Sequence, residues 1–330
     1  FRYSFTRSDR HYLDTTGYSV NDEYKGDTSI AEWRNTLQLN EWNKFTLGYE
    51  WSKAEADIID GGNDKMDETY RTNAYYAQHQ AEPVSNLFLT LGARYNDHSE
   101  FGEETTYSTS AAYQIEQTDT TLRASFSTGY RAPSLYELFD PTYGNPKLDP
   151  ETSETWDIGF EQLVLDGAIE FGVTYFNTDV EDFIDYDWST SSYAQKEGVK
   201  SEGLESFIAY HPLQNLSLEL THTYMDTENQ QTGDKLIRRP RHKVTVDANY
   251  VFLEGRATAN LQMQHVGKRK FYNDSTGDDY TLANLAISYN LSKNIEIFGR
   301  IHNLLDEEYQ RVLNYNTYDR TYYGGVKVSF

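Results

Sequence analysis

Apolar and polar residues alternate along most of this chain with a period of two. At its end Tyr322, Val326, Val328 and Phe330 fall on one face of an extended segment, and Thr321, Lys327 and Ser329 fall on the other. Leu216, Leu218, Leu220 and Tyr224 interleave with Ser217, Glu219, Thr221 and Thr223; Val244, Val246, Ala248 and Tyr250 interleave with Thr245, Asp247 and Asn249. The same rhythm sets Ile295, Ile297 and Ile301 against Glu296, Arg300 and His302, and Leu87, Leu89, Leu91 and Tyr95 against Thr90 and Arg94. Successive side chains of a strand point to opposite faces, so each run predicts a strand with one apolar and one polar face. Taken singly, such a strand suits a sandwich, whose apolar face is the core, or a membrane barrel, whose apolar face meets lipid.

The connections separate the two. Reading strands at this period gives about sixteen of them. Tight turns are expected at Asn40–Lys44, Glu82–Asn86, Glu116–Asp119, Leu165–Gly167, His211–Asn215, Phe252–Gly255 and Leu291–Asn294. Between them lie long polar segments: Asp14–Asp27, Glu55–Glu68, Asn96–Thr105, Arg131–Glu151, Asp179–Glu197, Asp226–Arg241, Gly267–Asp279 and Asp306–Tyr318. Short turns alternating with long loops predict an all-β, transmembrane, antiparallel up-and-down β-barrel with its short turns periplasmic. Greek-key crossings would not segregate their loops so regularly.

Composition narrows the function classes. The chain has 330 residues, a formal net charge of -23, 28 Tyr, 16 Phe, 5 Trp and no Cys. No apolar run approaches the ~20 residues of a membrane-spanning helix. A mean hydropathy of -0.76 is compatible with a barrel, because half of each strand faces water. Abundant Tyr fits interfacial girdles, and the acidic excess argues against a nucleic-acid partner. No nucleophile elbow, phosphate loop or metal-spaced His cluster is present, so no enzyme is expected; Glu219, Asp247, Glu296, Arg300 and His302 read as lumen charges. The chain opens inside an alternating run with no export leader, which predicts a processed or truncated polypeptide.

Longer motifs bring a family into view. GYRAPSLYELF (Gly129 to Phe139) and YGNPKLDPETSETWDIGFE (Tyr143 to Glu161) resemble the middle of the barrel of TonB-dependent outer-membrane receptors, as do EGVKSEGLE (Glu197 to Glu205) and RRPRHKV (Arg238 to Val244). NLLDEEY (Asn303 to Tyr309), followed by the final RTYYGGVKVSF, is similar to the family's C-terminal signature. DVEDFIDYD (Asp179 to Asp187) with YGNPKLDPE is most similar to the BtuB-type cobalamin transporters. The resemblance implies that residues 1–330 are receptor barrel, part of a barrel of about 22 strands, with the plug domain, the TonB-contacting segment and roughly six strands not in this chain. It implies active uptake of cobalamin across the outer membrane of a Gram-negative bacterium, by a monomer in outer-membrane lipid working with the TonB complex. A ferric siderophore or haem receptor and a plug-free, 16-stranded porin are the alternatives.

Ligand chemistry is expected in the loops. Tyr130, Arg131, Tyr136, Phe139 and Tyr143 cluster where a strand passes into a loop, suited to stacking on a corrin ring or an aromatic chelate, or else to loop packing. Arg238 matches a ligand-contacting arginine position of cobalamin receptors; with Arg239 it offers guanidinium donors for amide or phosphate oxygens, or a salt bridge at the loop base. Asp57, Asp60, Asp64 and Asp67, around a Gly pair, place oxygen ligands at a density suited to Ca²⁺, with an unstructured acidic loop as the alternative. No catalytic residue and no resident cofactor are expected.

Overall fold

The alternating runs form strands. The computed structural model describes residues 1–13, 20–60, 63–272 and 275–330. In chain order the elements are β1 (Arg2–Leu13), β2 (Val20–Asn40), β3 (Asn43–Asp60), β4 (Asn63–Val84), β5 (Leu87–His98), β6 (Gly102–Ile115), β7 (Thr120–Arg131) and the helix α1 (Leu135–Phe139). They continue as β8 (Glu151–Val164), β9 (Ile169–Glu181), β10 (Ile184–Asp187), β11 (Ser192–Gln195), β12 (Gly198–Leu213), β13 (Leu216–Asn229) and β14 (His242–Phe252). The last are β15 (Ala257–Val266), β16 (Arg269–Lys270), β17 (Thr276–Gly277), β18 (Tyr280–Ser292), β19 (Ile295–His302) and β20 (Thr321–Val328). Sixteen of these pair in chain order as one sheet, while β10–β11 and β16–β17 form separate two-stranded hairpins inside long connections. Among the described residues no helix is long and apolar enough to cross a membrane.

Two compact units divide the chain. One comprises Phe1–Tyr113, Ala124–Trp156 and Thr178–Val199; the other comprises Gln114–Arg123, Asp157–Asn177 and Lys200–Phe330. In the second unit the register carries side chains of one kind from strand to strand. Ala248, Leu261, Leu285, Ile301 and Tyr322 lie opposite one another in turn across β14, β15, β18, β19 and β20. One residue along, Glu219, Asp247, Gln262 and Asn284 make the matching polar row, and Gln262 Nε2 donates to Asp247 Oδ1 at 3.0 Å. The face carrying the apolar row is accessible. Leu261 and Tyr322 of the row are exposed, and Val246, Ile287 and Val326 on the same face are 38%, 45% and 63% exposed, values that do not suit a sandwich core and do suit a lipid-facing surface.

The first unit repeats this arrangement with aromatic side chains. Trp33, Tyr49, Tyr75 and Tyr95 lie opposite one another across β2 to β5, with the Tyr49 and Tyr75 rings 5.1 Å apart, as in an interfacial belt. Behind them Tyr76 Oη donates to Glu32 at 2.5 Å and Arg94 Nη2 to Glu50 at 2.7 Å. Gly48 makes room for the Tyr76 ring, which a Cβ at that position would strike.

All seven predicted tight turns are turns. The long segments fare differently. Glu55–Glu68 is mostly paired strand: β3 runs to Asp60 and β4 starts at Asn63, with Asp57 opposite Asp67 and Ile58 opposite Met66. Asn96–Thr105 shrinks to the turn at residues 99–101, since β5 ends at His98 and β6 begins at Gly102. Residues 20–27 of the segment Asp14–Asp27 belong to β2, and residues 14–19 lie outside the described residues. The reason is length. Strands β2, β3 and β4 have 21, 18 and 22 residues, about twice the ~9–11 needed to cross a bilayer. Beyond the hydrocarbon a strand needs no apolar face, so polarity there does not signal a loop.

Replacing Val246 with Arg is expected to cost about 2–4 kcal/mol near the bilayer midplane, and replacing Thr245, on the polar face, far less. Reversible unfolding in lipid measures both; equal costs would mean the faces are wrongly assigned.

Candidate functional site

The connection between β7 and β8 is held by charge at its base. Arg131 ends β7 and its guanidinium meets Glu151 twice, at 2.6 and 2.7 Å, and Glu137 at 3.1 Å. Glu137 also closes a capping box on α1. Its carboxylate accepts from the Ser134 N–H at 2.7 Å, and its own N–H donates to Ser134 Oγ at 3.2 Å, satisfying donors that begin every helix. Pro133 is fully buried. Leu135 packs with Ile58 and Met66 of the β3–β4 hairpin, and Leu138 packs with Leu148 and Ile184. The segment GYRAPSLYELF is therefore a folding unit first: its arginine is engaged by two carboxylates and its leucines are anchors.

The hairpin β10–β11 is tied to the same place. Ile184 N–H donates to Glu151 at 2.8 Å, Asn145 Nδ2 to the Tyr193 carbonyl at 3.0 Å, and Asp149 N–H to Gln195 Oε1 at 2.8 Å. Within the hairpin Lys196 Nζ donates to Asp187 at 2.7 Å, and Ser189 donates twice more. Those bonds, Lys196 foremost, hold the Asp187 carboxyl well below the usual carboxylate range.

These anchors line up aromatic rings that are distant in sequence. Ring centroids run Tyr12–Tyr24 at 5.5 Å, Tyr24–Tyr136 at 6.5 Å, Tyr136–Tyr193 at 6.0 Å and Tyr193–Tyr186 at 5.8 Å. From Tyr186 the row branches to Tyr143 at 5.8 Å and Trp188 at 4.9 Å. Most pairs meet edge to face, the favoured geometry of aromatic quadrupoles. Burial pushes the Tyr136 and Tyr193 phenols above their ordinary value, so both stay neutral at physiological pH. Beside Tyr136 opens a cavity of about 760 Å³ whose walls include Arg10, Tyr12, Tyr24, Lys25, Ile58 and Met66. Its size, and an apolar wall interrupted by Arg10, Asp22, Lys25 and Asp57, suit a drug-sized organic ligand or one edge of a larger one.

Of the sequence-predicted residues, Tyr136 and Tyr143 belong to this row, and Arg131 sits at its foot with its donors committed to Glu137 and Glu151. The Tyr130 hydroxyl is buried without a partner among the described residues. Sequence reasoning passed over Tyr12, Tyr24, Tyr186, Trp188 and Tyr193. Tyr186 stands inside the DFIDYD run, and the others share only their nearness to long connections.

Arg238 and Arg239 lie in the second unit, in the connection between β13 and β14. Arg238 adopts φ 59°, uncommon for a side chain larger than Gly. Its N–H donates to the Lys270 carbonyl at 2.7 Å, and its guanidinium rests 5.1 Å from the Tyr272 ring centroid. Lys270 reaches Asp234 at 3.1 Å, joining this connection to the β16–β17 hairpin. Arg239 is exposed, without an ion-pair partner among the described residues. Of the acidic set, Asp57 and Asp67 are cross-strand neighbours, whereas the side chains of Asp60 and Asp64 lie outside the described residues.

Residues 1–304 match the family model described as TonB dependent receptor-like, beta-barrel. The vitamin B12 transporter BtuB of Vibrio cholerae serotype O1 is 28% identical over 336 residues, covering 99% of this chain and 52% of that protein. The chain thus spans about half the length of the curated relatives it matches. Among solved structures, a mutant of the ferric enterobactin receptor PfeA of Pseudomonas aeruginosa, in complex with enterobactin, superposes with a TM-score of 0.83 at 22% identity, covering 99% of this chain and 59% of that one. The copper transporter OprC matches with a TM-score of 0.83 at 15% identity, covering 99% and 61%.

Arg131→Ala should remove charge-assisted bonds of about 1.5–3 kcal/mol, toward the lower end for a half-exposed group. The expected readout is faster proteolysis within residues 132–150 with β-sheet content retained; unchanged cleavage would mean the clamp does not order the loop. Because the Asp187 carboxyl is depressed in the folded hairpin, its contribution is fully present above its ordinary value of about 3.9 and is lost only as pH falls through the folded value. Cleavage near Asp187 should therefore stay flat between neutral and mildly acidic pH, and Asp187→Asn should speed it at neutral pH.

Proposed function

Because the chain belongs to the TonB-dependent receptor β-barrel family, whose members reside in the outer membrane of Gram-negative bacteria, we propose that it serves active uptake of a large, scarce solute, cobalamin before other candidates. In this reading the barrel sits as a monomer in lipid, the loops capture the solute, and energy delivered by the inner-membrane TonB complex releases it inward. The chain supplies a rigid wall in which each strand of the sixteen-stranded sheet between β1 and β20 is hydrogen-bonded to both neighbours, together with binding groups and a conduit, and makes or breaks no covalent bond.

The observation that carries the choice of solute is the row of neutral aromatic rings beside groups whose positive charges are already answered. Arg131 faces Glu137 and Glu151, and Lys196 faces Asp187. Such a surface offers flat apolar contact and hydroxyl groups, with Lys25 of the cavity wall paired to Glu23 and Arg10 left without an ion-pair partner among the described residues, in a chain of net charge -23. That suits a bulky ligand with an apolar ring system and an amide-rich edge, and suits an anionic ferric chelate less well. The identity with a vitamin B12 transporter supports the same choice. A siderophore or haem reading has support in the solved relative that binds ferric enterobactin.

The receptor is expected to bind cyanocobalamin saturably and tightly, with uptake abolished by a protonophore. Arg238→Ala should weaken binding by roughly 1.5–3 kcal/mol, the scale of a hydrogen bond to a charged group, with little loss of barrel stability. Equilibrium binding run in parallel with cobalamin, haem and a ferric catecholate decides the solute. Saturable binding of an iron chelate alone would transfer the assignment to the siderophore or haem reading. Energy-independent passage of small solutes without tight binding would make the protein a porin.

A further inference from the structure

The hairpin β1–β2 carries a second set of donors on the face turned away from Tyr24. His11 and Glu23 are direct partners in the antiparallel ladder, and Asp9, two residues before His11, shares their face. His11 Nε2 lies 3.1 Å from Asp9 Oδ1 and 3.4 Å from Glu23 Oε1. One ligand atom from each of the three falls within 4.8 Å of the others, and this is the one such group of His and carboxylate side chains among the described residues. Two donors bound to one ion at about 2.0–2.2 Å with near-tetrahedral angles stand roughly 3.2–3.5 Å apart. The two His11 spacings are close to that, and the Asp9 and Glu23 oxygens lie within 4.8 Å of each other.

We propose that Asp9, His11 and Glu23 form a binding site for a divalent first-row transition cation of the zinc class. The donor set sets the class: an imidazole suits zinc and its neighbours, whereas Ca²⁺ takes six to eight oxygen ligands, which two carboxylates and an imidazole do not supply. Two carboxylates offset most of the positive charge of the ion and of the neighbouring Lys25 ammonium. The other Glu23 oxygen is held by Lys25 at 3.0 Å, which turns Oε1 toward His11 in the way that outer partners orient metal ligands. All three donors stand on paired strands, so little order is lost on binding. His11 and Asp9 side chains are 61% and 41% exposed, leaving a coordination position open to water or to a donor from another molecule. Affinity is expected in the micromolar range because the site is wet. Its three ligands stand on the opposite face from the aromatic row, with Lys25 bordering both the site and the cavity.

The test is calorimetric titration of the full protein in detergent with zinc chloride alone, in a non-coordinating buffer at neutral pH, beside His11→Ala and Glu23→Gln. One saturable site is expected, weakened roughly tenfold or more by either substitution, the scale on which even outer partners of a metal act. Calcium chloride should give no binding that responds to these variants. Cobalt(II) should develop visible d–d absorption that His11→Ala abolishes. Absence of saturable zinc binding, or binding that both variants leave intact, would overturn the site. Should His11→Ala lower the unfolding temperature, Asp9→Asn replaces it, keeping size and strand pairing while removing one charged donor.

Discussion

A peptide group in hydrocarbon has no water to bond, so each N–H and C=O of a membrane strand must be met by a neighbouring strand. The rest of this structure depends on that requirement. It makes the ladders between consecutive strands long, and long ladders fix which side chains share a face. A slip of one residue would carry Val246 to the polar side and Asp247 to the apolar side. The register shifts of these ladders fall where that cost is smallest. Those between Gln38 and Asn40, between Ala81 and Val84 and between Asn290 and Ser292 adjoin tight turns, and those at Tyr12/Leu13 and Ile58/Ile59 lie near the far tips.

This is why the fold was legible in the sequence. Alternation is local, and the tight turns carry their own chemistry: Asn86, Asp119, Leu165, Asp166, Leu253, Glu254 and the glycines Gly167 and Gly255 take positive φ there. Legibility failed where the membrane stops dictating polarity. Glu55–Glu68 reads as an acidic loop because its charges outnumber its apolar residues, yet backbone pairing is indifferent to side-chain polarity, and Ile58 and Met66 supply one buried patch for Leu135.

The candidate site was legible only in its motifs. Tyr136 and Tyr143 stand out because they sit in a recognisable segment, whereas Tyr12, Tyr24 and Tyr193 come together through the anchoring of α1 and of the β10–β11 hairpin. No spacing rule links residues so distant in sequence. Arg131 shows the converse. Its position drew attention as a ligand group, but Glu137 and Glu151, six and twenty residues away, take up its donors. A charged residue at a loop base says where a chain must be fastened as readily as where a solute is held.

Glu151 is where that fastening has its widest effect. One carboxylate receives the Arg131 guanidinium from below the first connection and the Ile184 N–H from the start of the β10–β11 hairpin. Neither connection can open without stripping a partner from the same buried group, so the two behave as a single foldon rather than as separate loops. Hydrogen exchange in one would then track exchange in the other, and their substitutions would combine non-additively. A solute touching only Tyr143 would slow the opening of both.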